Sequence, residues 1–382
     1  MNLPASRLLG KIDARIASAT NQHMFDCALA ERACYSARQG NFDAATDAIA
    51  KIRSRYASNP DAEITILLNL AEGLVSYFRE LGFAAHDKVL RAHALSAALG
   101  FVRLHALTAA WLAQMDFSRL DLPATAKHVA ESLNLSARDD HSARSRASLI
   151  VAQALHLAGR WDLASPWYTR ARIHANSDGD ELTVSALMHN MVSMRLDHFR
   201  QVVLTETGDK TAAAYALVGI DSSENFDHLI GTSTLEELRP IMRARFFSLN
   251  GHVVRALEIY ETHIADGLTT SLARLQSDVL SDLAWCRMQR GQSARAREDA
   301  LSAEKGLSVN TQLDDRAATH SRLASVYLQL GETDEEIRHQ TLATSSWNDF
   351  ALLQGKTVDL FVDLAETGKS ALIATNQASS QP

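Results

Sequence analysis

The chain has 382 residues, of which 46% are hydrophobic and 6% aromatic, and its formal net charge is −7. This length and apolar content allow an extensive core, and the acidic balance argues against general attraction to nucleic acid or to an anionic membrane. Alanine and leucine dominate the sequence, which favours helix throughout. No apolar stretch reaches the roughly 18 residues that a transmembrane helix needs, so we expect no membrane-spanning segment.

The cysteine content indicates a reducing compartment. Cys27, Cys34 and Cys286 form no CxxC pair. On a helix, Cys27 and Cys34 would lie two turns apart, which is too far for a disulfide. A small, odd number of cysteines is typical of proteins that keep their thiols reduced, and the first residues lack the apolar core of a signal peptide. We therefore expect a cytoplasmic protein.

Helices and turns alternate along the chain at a regular interval. A lead-in helix is predicted at Arg7–Ala17, and the next helix at Gln22–Gln39 ends in the turn Gly40-Asn41-Phe42-Asp43. Comparable turns follow, so that the series of turn positions is 40, 82, 121, 159, 208, 251, 291 and 331. The spacing is close to 40 residues except for the 49 residues between positions 159 and 208. A fixed period of this size predicts an array of helical hairpins.

The pattern also predicts how the array is divided along the chain. Residues 1–21 form the lead-in helix, 22–175 the first four repeats, and 236–354 repeats six to eight. The irregular stretch 176–235 is interpreted as a fifth repeat that acts as a hinge; within it, a helix from Glu181 to Leu204 is followed by a turn near Gly208 and a further break at 219–223. Residues 355–375 are predicted to be a capping helix and 376–382 a disordered tail.

The residues around these turns resemble the tetratricopeptide repeat family. That family places a small residue in its first helix, a glycine and an aromatic residue at the turn, and then alanine, an aromatic residue and alanine in its second helix. The best match consists of Ala152, Gly159, Trp161, Ala164, Tyr168 and Ala171. The sequence departs from the family in its period, which is longer than about 34 residues, and in lacking most of the closing prolines. Longer helices of this kind are similar to those of bacterial regulatory helical-repeat domains.

The resemblance implies an all-α fold, a right-handed α-solenoid of about eight antiparallel helical hairpins with capping helices at both ends. In the resembled family, the first helix of each hairpin lines a concave groove that binds a protein or a peptide. Transferring the groove positions to this sequence predicts partner-binding residues, namely Arg38, Asn69, Glu72, Arg79, Trp111, Arg146, Gln153, His156, Arg245, Asp278, Trp285 and Gln289, together with Cys34 and Met115. Arginine and amide side chains suit peptide carboxylates and backbone, and tryptophan suits an apolar anchor.

The sequence contains no catalytic motif that the surrounding pattern supports. Gly355-Lys356-Thr357 mimics the end of a phosphate-binding loop, but Phe350 occupies the position of the required earlier glycine, so a helix start is the preferred interpretation. Asp139-Asp140-His141 is interpreted as a helix N-terminus rather than a metal corner. The 15 histidines are scattered without a tight ligand spacing. We therefore predict no enzyme activity, no metal and no cofactor.

Three functions remain open from the sequence. The first is a non-enzymatic scaffold that binds a protein or peptide in the concave groove. The second is a regulator that responds to a ligand or peptide through a change in array curvature, with the irregular stretch as its hinge. The third, less favoured, is an enzyme whose site has no recognisable motif. Self-association of the array is compatible with the first two, and none of them involves nucleic acid.

Overall fold

The computed structural model is all-α, with 86% of the described residues in helices. It describes residues 6–80, 84–207, 216–232, 236, 238–267, 275–308 and 311–378, and contains seventeen helices and no strand in these ranges. The prediction of an all-helical chain is confirmed. Within the same ranges, none of the helices combines the length and the apolar composition that crossing a bilayer requires.

The helices follow one another with short connections. The first nine are α1 Arg7–Ala17, α2 Gln22–Gln39, α3 Phe42–Arg55, α4 Ala62–Glu80, α5 Ala84–Ala98, α6 Val102–Ser118, α7 Leu122–Leu135, α8 His141–Leu157 and α9 Trp161–Asp178. The remainder are α10 Glu181–Thr205, α11 Ala216–Ile230, α12 Leu238–Leu249, α13 Val253–Gly267, α14 Gln276–Gln289, α15 Ser293–Gly306, α16 Leu313–Leu330 and α17 Thr333–Ala378.

The chain divides into two compact units. Unit 1 comprises residues 1–190, 225–234 and 357–382, and unit 2 comprises 191–224 and 235–356. Three of these boundaries, after residues 190, 224 and 234, fall within the stretch 176–235 that the sequence marked as irregular.

In unit 1, neighbouring helices pack as pairs. The packed pairs are α2 with α3, α4 with α5, α6 with α7, and α8 with α9, and the even-numbered helices also pack on each other, α2 on α4 and α6 on α8. Alanine supports the close approach, since Ala30, Ala33 and Ala71 are almost completely buried in the core. Small residues at the contact allow two helix axes to lie close together, so each pair is held by backbone proximity as much as by large side chains.

The turn at Gly40 shows how the sequence ends one helix and starts the next. Gly40 closes α2 in the left-handed region with φ of 90°, a conformation that costs a residue with a side chain about 1–2 kcal/mol. Asn41 then accepts a hydrogen bond from the backbone N–H of Ala44 and caps α3. This is the chemistry that the Gly-Asn-Phe-Asp sequence predicted.

Segments far apart in sequence also meet within unit 1. The backbone N–H of Leu8 donates to the carbonyl of Gly179 at 3.0 Å, and Arg7 forms an ion pair with Glu181 at 2.8 Å. The amide of Gln39 donates to the carbonyl of Gly231 at 3.3 Å. Helix α1 and the end of α2 therefore contact the start of α10 and the residues after α11. The predicted lead-in helix covers part of unit 1 rather than extending from it.

In unit 2, the same pairing recurs. Helices α12 and α13 pack together, as do α14 and α15, and the even-numbered helices pack as α12 on α14 and α14 on α16. Their core contains Leu283, Ala284, Leu323 and Tyr327, all at most 3% exposed. This arrangement is helical-repeat-like, as the period of about 40 residues predicted.

The predicted break at 219–223 is wrong, because helix α11 runs through it from Ala216 to Ile230. An ideal Cβ built on Gly219 would lie 2.6 Å from Cγ2 of Val192 on α10. Gly219 therefore permits close packing of two helices and does not form a turn. The predicted turns near Gly208 and at Leu81-Gly82-Phe83 lie outside the described residues.

The separate capping helix predicted at 355–375 is also not observed, because α17 is a single helix of 46 residues. Gly355-Lys356-Thr357 lies in its interior and not at a helix start. A single glycine costs only about 1 kcal/mol in a helix, and burial of Thr357 and Phe361 offsets that cost. Residues 376–378, predicted to belong to a disordered tail, are helical, and 379–382 lie outside the described residues.

Some glycines within helices have free space around the position of a Cβ atom, whereas others pack against a neighbouring helix. Replacement by alanine should therefore change stability in opposite directions at these two kinds of position. Replacing Gly355, which has nothing within 4 Å of its would-be Cβ, should raise the free energy of unfolding by about 0.5–1 kcal/mol. Replacing Gly73, whose Cβ would lie 2.5 Å from Cγ2 of Val89, should lower it by about 1–3 kcal/mol. Urea unfolding followed by circular dichroism measures both. A destabilising Gly355→Ala would show that α17 is interrupted in solution.

Candidate functional site

Among the described residues, each unit contains a cluster of buried charge on its even-numbered helices. In unit 1 it consists of Arg38 on α2, Trp111 on α6, Arg146 on α8, and Asp180 and Thr183 at the start of α10; we call it the Arg–Trp cluster. Three of these residues were predicted to bind a partner.

Arg38 is the neutralised cation of the Arg–Trp cluster. Its guanidinium donates to both carboxylate oxygens of Asp180 at 2.7 and 2.8 Å and to the hydroxyl of Thr183 at 2.9 Å. The paired guanidinium keeps the pKa of Asp180 below its usual value in spite of the burial of that carboxyl. Arg38 therefore joins α2 to α10.

Arg146 occupies a different environment, although it lies close to Arg38. Its guanidinium carbon is 3.8 Å from the centre of the Trp111 ring, and it donates to the hydroxyl of Thr183 at 3.2 Å. No carboxylate forms an ion pair with it in the described part of the chain. Burial, reinforced by the positive charge of Arg38, lowers the pKa of Arg146 to about 9. Two guanidiniums thus share one carboxylate, Asp180, and the cluster carries an excess positive charge.

The other two predicted residues of α8, Gln153 and His156, are also buried. Gln153 is 5% exposed, and none of the described residues donates a hydrogen bond to its side-chain oxygen. His156 is 7% exposed, with Nδ1 3.1 Å from the hydroxyl of Tyr168 and its ring packed on Trp161. His156 therefore packs against the second helix of its own hairpin.

The three predicted residues of α4 are more accessible. Glu72 forms ion pairs with Arg53 and Lys88, and the amide of Asn69 donates to the carbonyl of Thr65 at 2.8 Å. Both line a shallow pocket between α3 and α4 with Ile64 and Leu68. Arg79 is exposed, with its guanidinium 5.1 Å from the centre of the Phe42 ring. The pocket is shallow and separate from the buried charges, so we give it less weight than the Arg–Trp cluster.

In unit 2, the buried charges form a larger cluster around Arg200, which we call the Arg–Asp network. Arg200 on α10 forms ion pairs with Asp278 on α14 at 2.8 Å and with Asp314 and Asp315 on α16 at 3.1 and 2.9 Å. Arg245 on α12 pairs with Asp278 as well and with Asp197 at 3.2 Å. Four carboxylates face two guanidiniums, so the network carries an excess negative charge, opposite to that of the Arg–Trp cluster.

The excess of carboxylates changes their proton affinity. Burial, together with the charge of Asp315, raises the pKa of Asp314 to about 7. Burial also raises the pKa of Asp278 to about 6, although Arg200 and Arg245 oppose that change. The network therefore holds a proton at pH values where an exposed aspartate would have lost it.

The last two predicted residues lie near the C-terminal end of α14. Trp285 carries the guanidinium of Arg322 at 4.2 Å from its ring centre, and Arg322 also forms an ion pair with Asp282 at 2.7 Å. The exposed amide of Gln289 donates to the side chain of Gln329 at 3.0 Å. An arginine on α16 thus stacks on a tryptophan of α14, just as Arg146 on α8 stacks on Trp111 of α6.

The structure brings together some of the predicted residues and not others. Arg38, Trp111 and Arg146 meet in unit 1, and Arg245 and Asp278 meet in unit 2. The sequence did not reveal Asp180, Thr183 or Arg200 as their partners. Asp314 and Asp315 were visible only as acidic residues in the first turn of a helix, where they complement the helix dipole. Neither the charge pattern nor the helical period indicates that a distant arginine also binds them.

No family model matches the chain, and no match is found among curated proteins.

The Arg–Asp network predicts a specific pH dependence of stability. Because the pKa of Asp314 is raised to about 7, the folded protein keeps this proton at pH values where the unfolded chain has released it. The contribution of Asp314 is therefore largest below the unfolded pKa of about 3.9 and is lost as the pH rises towards 7. We expect Asp314→Asn to remove a decrease on the order of 2 kcal/mol between about pH 5 and pH 7.5.

Urea unfolding of the wild type and of Asp314→Asn at the two pH values measures this contribution. The exposed Asp349 of α17 gives a matched control, since Asp349→Asn should leave the pH dependence as in the wild type. Equal pH dependence in the wild type and in Asp314→Asn would contradict the raised pKa. Comparing the two proteins cancels the contribution of buried histidines such as His320.

Proposed function

We propose that the protein is a non-enzymatic scaffold that binds a segment of a protein partner, or a peptide. In this proposal the helices form a right-handed, tetratricopeptide-like α-solenoid of about eight hairpins, and the even-numbered helices provide the binding face. The support is the pairwise packing of consecutive helices, the packing of even-numbered helices on each other, and the polar side chains that these helices carry. In helical repeats of this kind, the stacked helices present one extended surface.

The observation that carries the proposal is the excess positive charge of the Arg–Trp cluster. Arg146 is 5% exposed and lies beside a second guanidinium, and within the described ranges its side chain donates only to the hydroxyl of Thr183. A buried cation without a carboxylate is costly, and a ligand that supplies the carboxylate recovers that cost as binding energy. We therefore propose that the bound segment presents a carboxylate, either an acidic side chain or a chain terminus, to Arg146.

Trp111 has a supporting role in this proposal and not the anchoring role that the sequence suggested. The guanidinium of Arg146 covers one face of its ring, and Phe78 packs edge-on against it with ring centres 6.0 Å apart. The ring therefore holds the guanidinium in place. A fixed, planar guanidinium loses less freedom when it binds a carboxylate than a mobile one would.

An affinity capture from native lysate, read by mass spectrometry, tests the proposal with the variant Arg146→Met. The acidic segment of a captured partner is then purified, and its affinity for the wild type and for the variant is measured. We expect Arg146→Met to weaken this binding about 10- to 100-fold. Because the pKa of Arg146 is lowered to about 9, binding by the wild type should also weaken above that pH.

Arg170 provides the matched control for this experiment. It stacks on Trp167 at 4.9 Å within the odd-numbered helix α9, so Arg170→Met removes the same kind of contact from the other helix of a hairpin. The proposal is wrong if both variants bind the segment as the wild type does, or if amidating the segment's carboxylates leaves its affinity unchanged. Thermal unfolding of each variant confirms that it is folded.

A second candidate is a regulator that responds to a ligand or peptide through a change in array curvature and thereby controls a partner protein. Two observations favour it. Boundaries between the compact units fall within 176–235, and the Arg–Asp network joins α10, α12, α14 and α16 through charges that a bound ligand or a proton would redistribute. Small-angle scattering with and without the captured segment tests this candidate. An unchanged radius of gyration would contradict the regulator and leave the scaffold as the proposed function.

A further inference from the structure

Two histidines and a glutamate of unit 1 direct their donor atoms towards one point. Nε2 of His93 and Nε2 of His105 are 3.2 Å apart, and they lie 3.1 and 2.8 Å from the two carboxylate oxygens of Glu131. The three side chains come from three successive helices, α5, α6 and α7. We call them the His–His–Glu cluster.

The turn between α5 and α6 explains why the two histidines meet. Helix α5 ends at Ala98 and α6 begins at Val102, with Gly100 between them in the left-handed region at φ of 74°. His93 and His105 are the same number of residues from Leu99, so they lie at the same height on two antiparallel helices. Helix α7 packs against α6 and adds Glu131. The spacing of these residues in sequence gives no metal-binding signature, which is why the sequence predicted no metal.

The distances match those of a tetrahedral zinc site. Ligand atoms about 2.0–2.1 Å from Zn²⁺ at tetrahedral angles are about 3.3 Å from one another. The two histidine nitrogens are 3.2 Å apart, and they lie 3.1 and 2.8 Å from different oxygens of Glu131, so each of these separations is close to that value. Two neutral imidazoles and one carboxylate are also a ligand set that zinc accepts with a fourth position left for water. The side chains are 15%, 16% and 27% exposed, so an ion and its water can reach them.

Hydrogen bonding alone satisfies this arrangement less well. If both Nε2 atoms carry a proton, each donates to its own oxygen of Glu131, but two N–H donors then lie only 3.2 Å apart and repel each other. If one Nε2 is deprotonated, it can accept from the other histidine, but Glu131 then loses a donor. A divalent cation resolves this conflict, because all three atoms become ligands.

The two other groups of potential ligands in the described residues are less suitable. The group Glu304, Glu335 and His339 already contains a cation, since Arg338 forms ion pairs with both carboxylates and lies 3.0 Å from Nε2 of His339. In the group His23, Cys27 and Glu63, the His23 and Glu63 side chains are 41% and 38% exposed. In contrast, no arginine or lysine forms an ion pair with Glu131 in the part of the chain that the structure describes.

From these observations we propose that His93, His105 and Glu131 bind a divalent transition metal, zinc by ligand preference, with water in the fourth position. The ion would join α5, α6 and α7 and so tie the second hairpin to the third. Two further polar side chains lie next to the cluster. The ring of His128 lies 5.5 Å from the ring of His93, and Nδ1 of His128 is 2.6 Å from the carboxylate of Asp116.

The test uses the full-length protein after removal of metal with a chelator and dialysis. Zn²⁺ alone is titrated by isothermal calorimetry, and Co²⁺ alone is titrated while its visible absorption is recorded, because tetrahedral Co²⁺ absorbs strongly and octahedral Co²⁺ weakly. We expect one ion per chain, a tetrahedral Co²⁺ spectrum, and a higher melting temperature with Zn²⁺. Glu131→Gln and His105→Gln should each lower the affinity by more than about 100-fold, because even neighbours of ligands contribute up to that factor.

Variants of the two other groups serve as controls. His23→Gln and His339→Gln should retain stoichiometry, affinity and the Co²⁺ spectrum. The proposal is overturned if the wild type binds no Zn²⁺ at micromolar concentrations, or if His23→Gln abolishes binding while Glu131→Gln does not. Should His105→Gln fail to fold, Glu131→Gln decides alone, since it keeps the shape of the side chain. A Zn²⁺-induced rise in melting temperature that persists in folded Glu131→Gln would also contradict the site.

Discussion

The structure of both units depends on the neutralisation of charges that the even-numbered helices bury. Arg200 is 1% exposed, and removing a guanidinium from water costs several kcal/mol unless carboxylates compensate for it. Asp278, Asp314 and Asp315 supply that compensation from two other helices. A single side chain thus links α10, α14 and α16.

The buried charges of the two units are unbalanced in opposite directions. The Arg–Trp cluster has more guanidiniums than carboxylates, and the Arg–Asp network has more carboxylates than guanidiniums. In unit 1 an aromatic ring supports the surplus guanidinium, whereas in unit 2 a retained proton reduces the surplus negative charge. The first arrangement is suited to an anionic ligand, and the second to a response to charge. This difference is why we propose unit 1 as the site of binding.

The polar clusters of this protein form between helices, from side chains that lie far apart in the sequence. His93, His105 and Glu131 each belong to a different helix, yet a turn of three residues brings the first two to the same height. Similar convergence places His320 and His339 with Nδ1 atoms 2.9 Å apart. An array of hairpins therefore generates clusters of ligand-type residues without any short sequence motif, so their chemistry is found by inspecting helix neighbours.

The helical period predicted the ends of α1, α2 and α10 to within one residue, because caps and apolar spacing act locally. The same local signals failed at Gly219 and Gly355, where glycine serves close packing or is simply tolerated within a helix. A glycine in a turn and a glycine in a helix interior are identical in sequence, and only the neighbouring helix distinguishes them.

The sequence by itself determined the helical class, the repeat period and the residue types that the even-numbered helices carry. Tertiary structure alone decided their partners. Arg38 meets Asp180 across 142 residues of chain, and Arg200 meets Asp315 across 115. Helix formation depends on neighbours within about four residues, whereas ion pairing depends on which helices pack together. For that reason the sequence identified Arg146 as polar and inward-facing, but only the packed structure revealed its missing carboxylate.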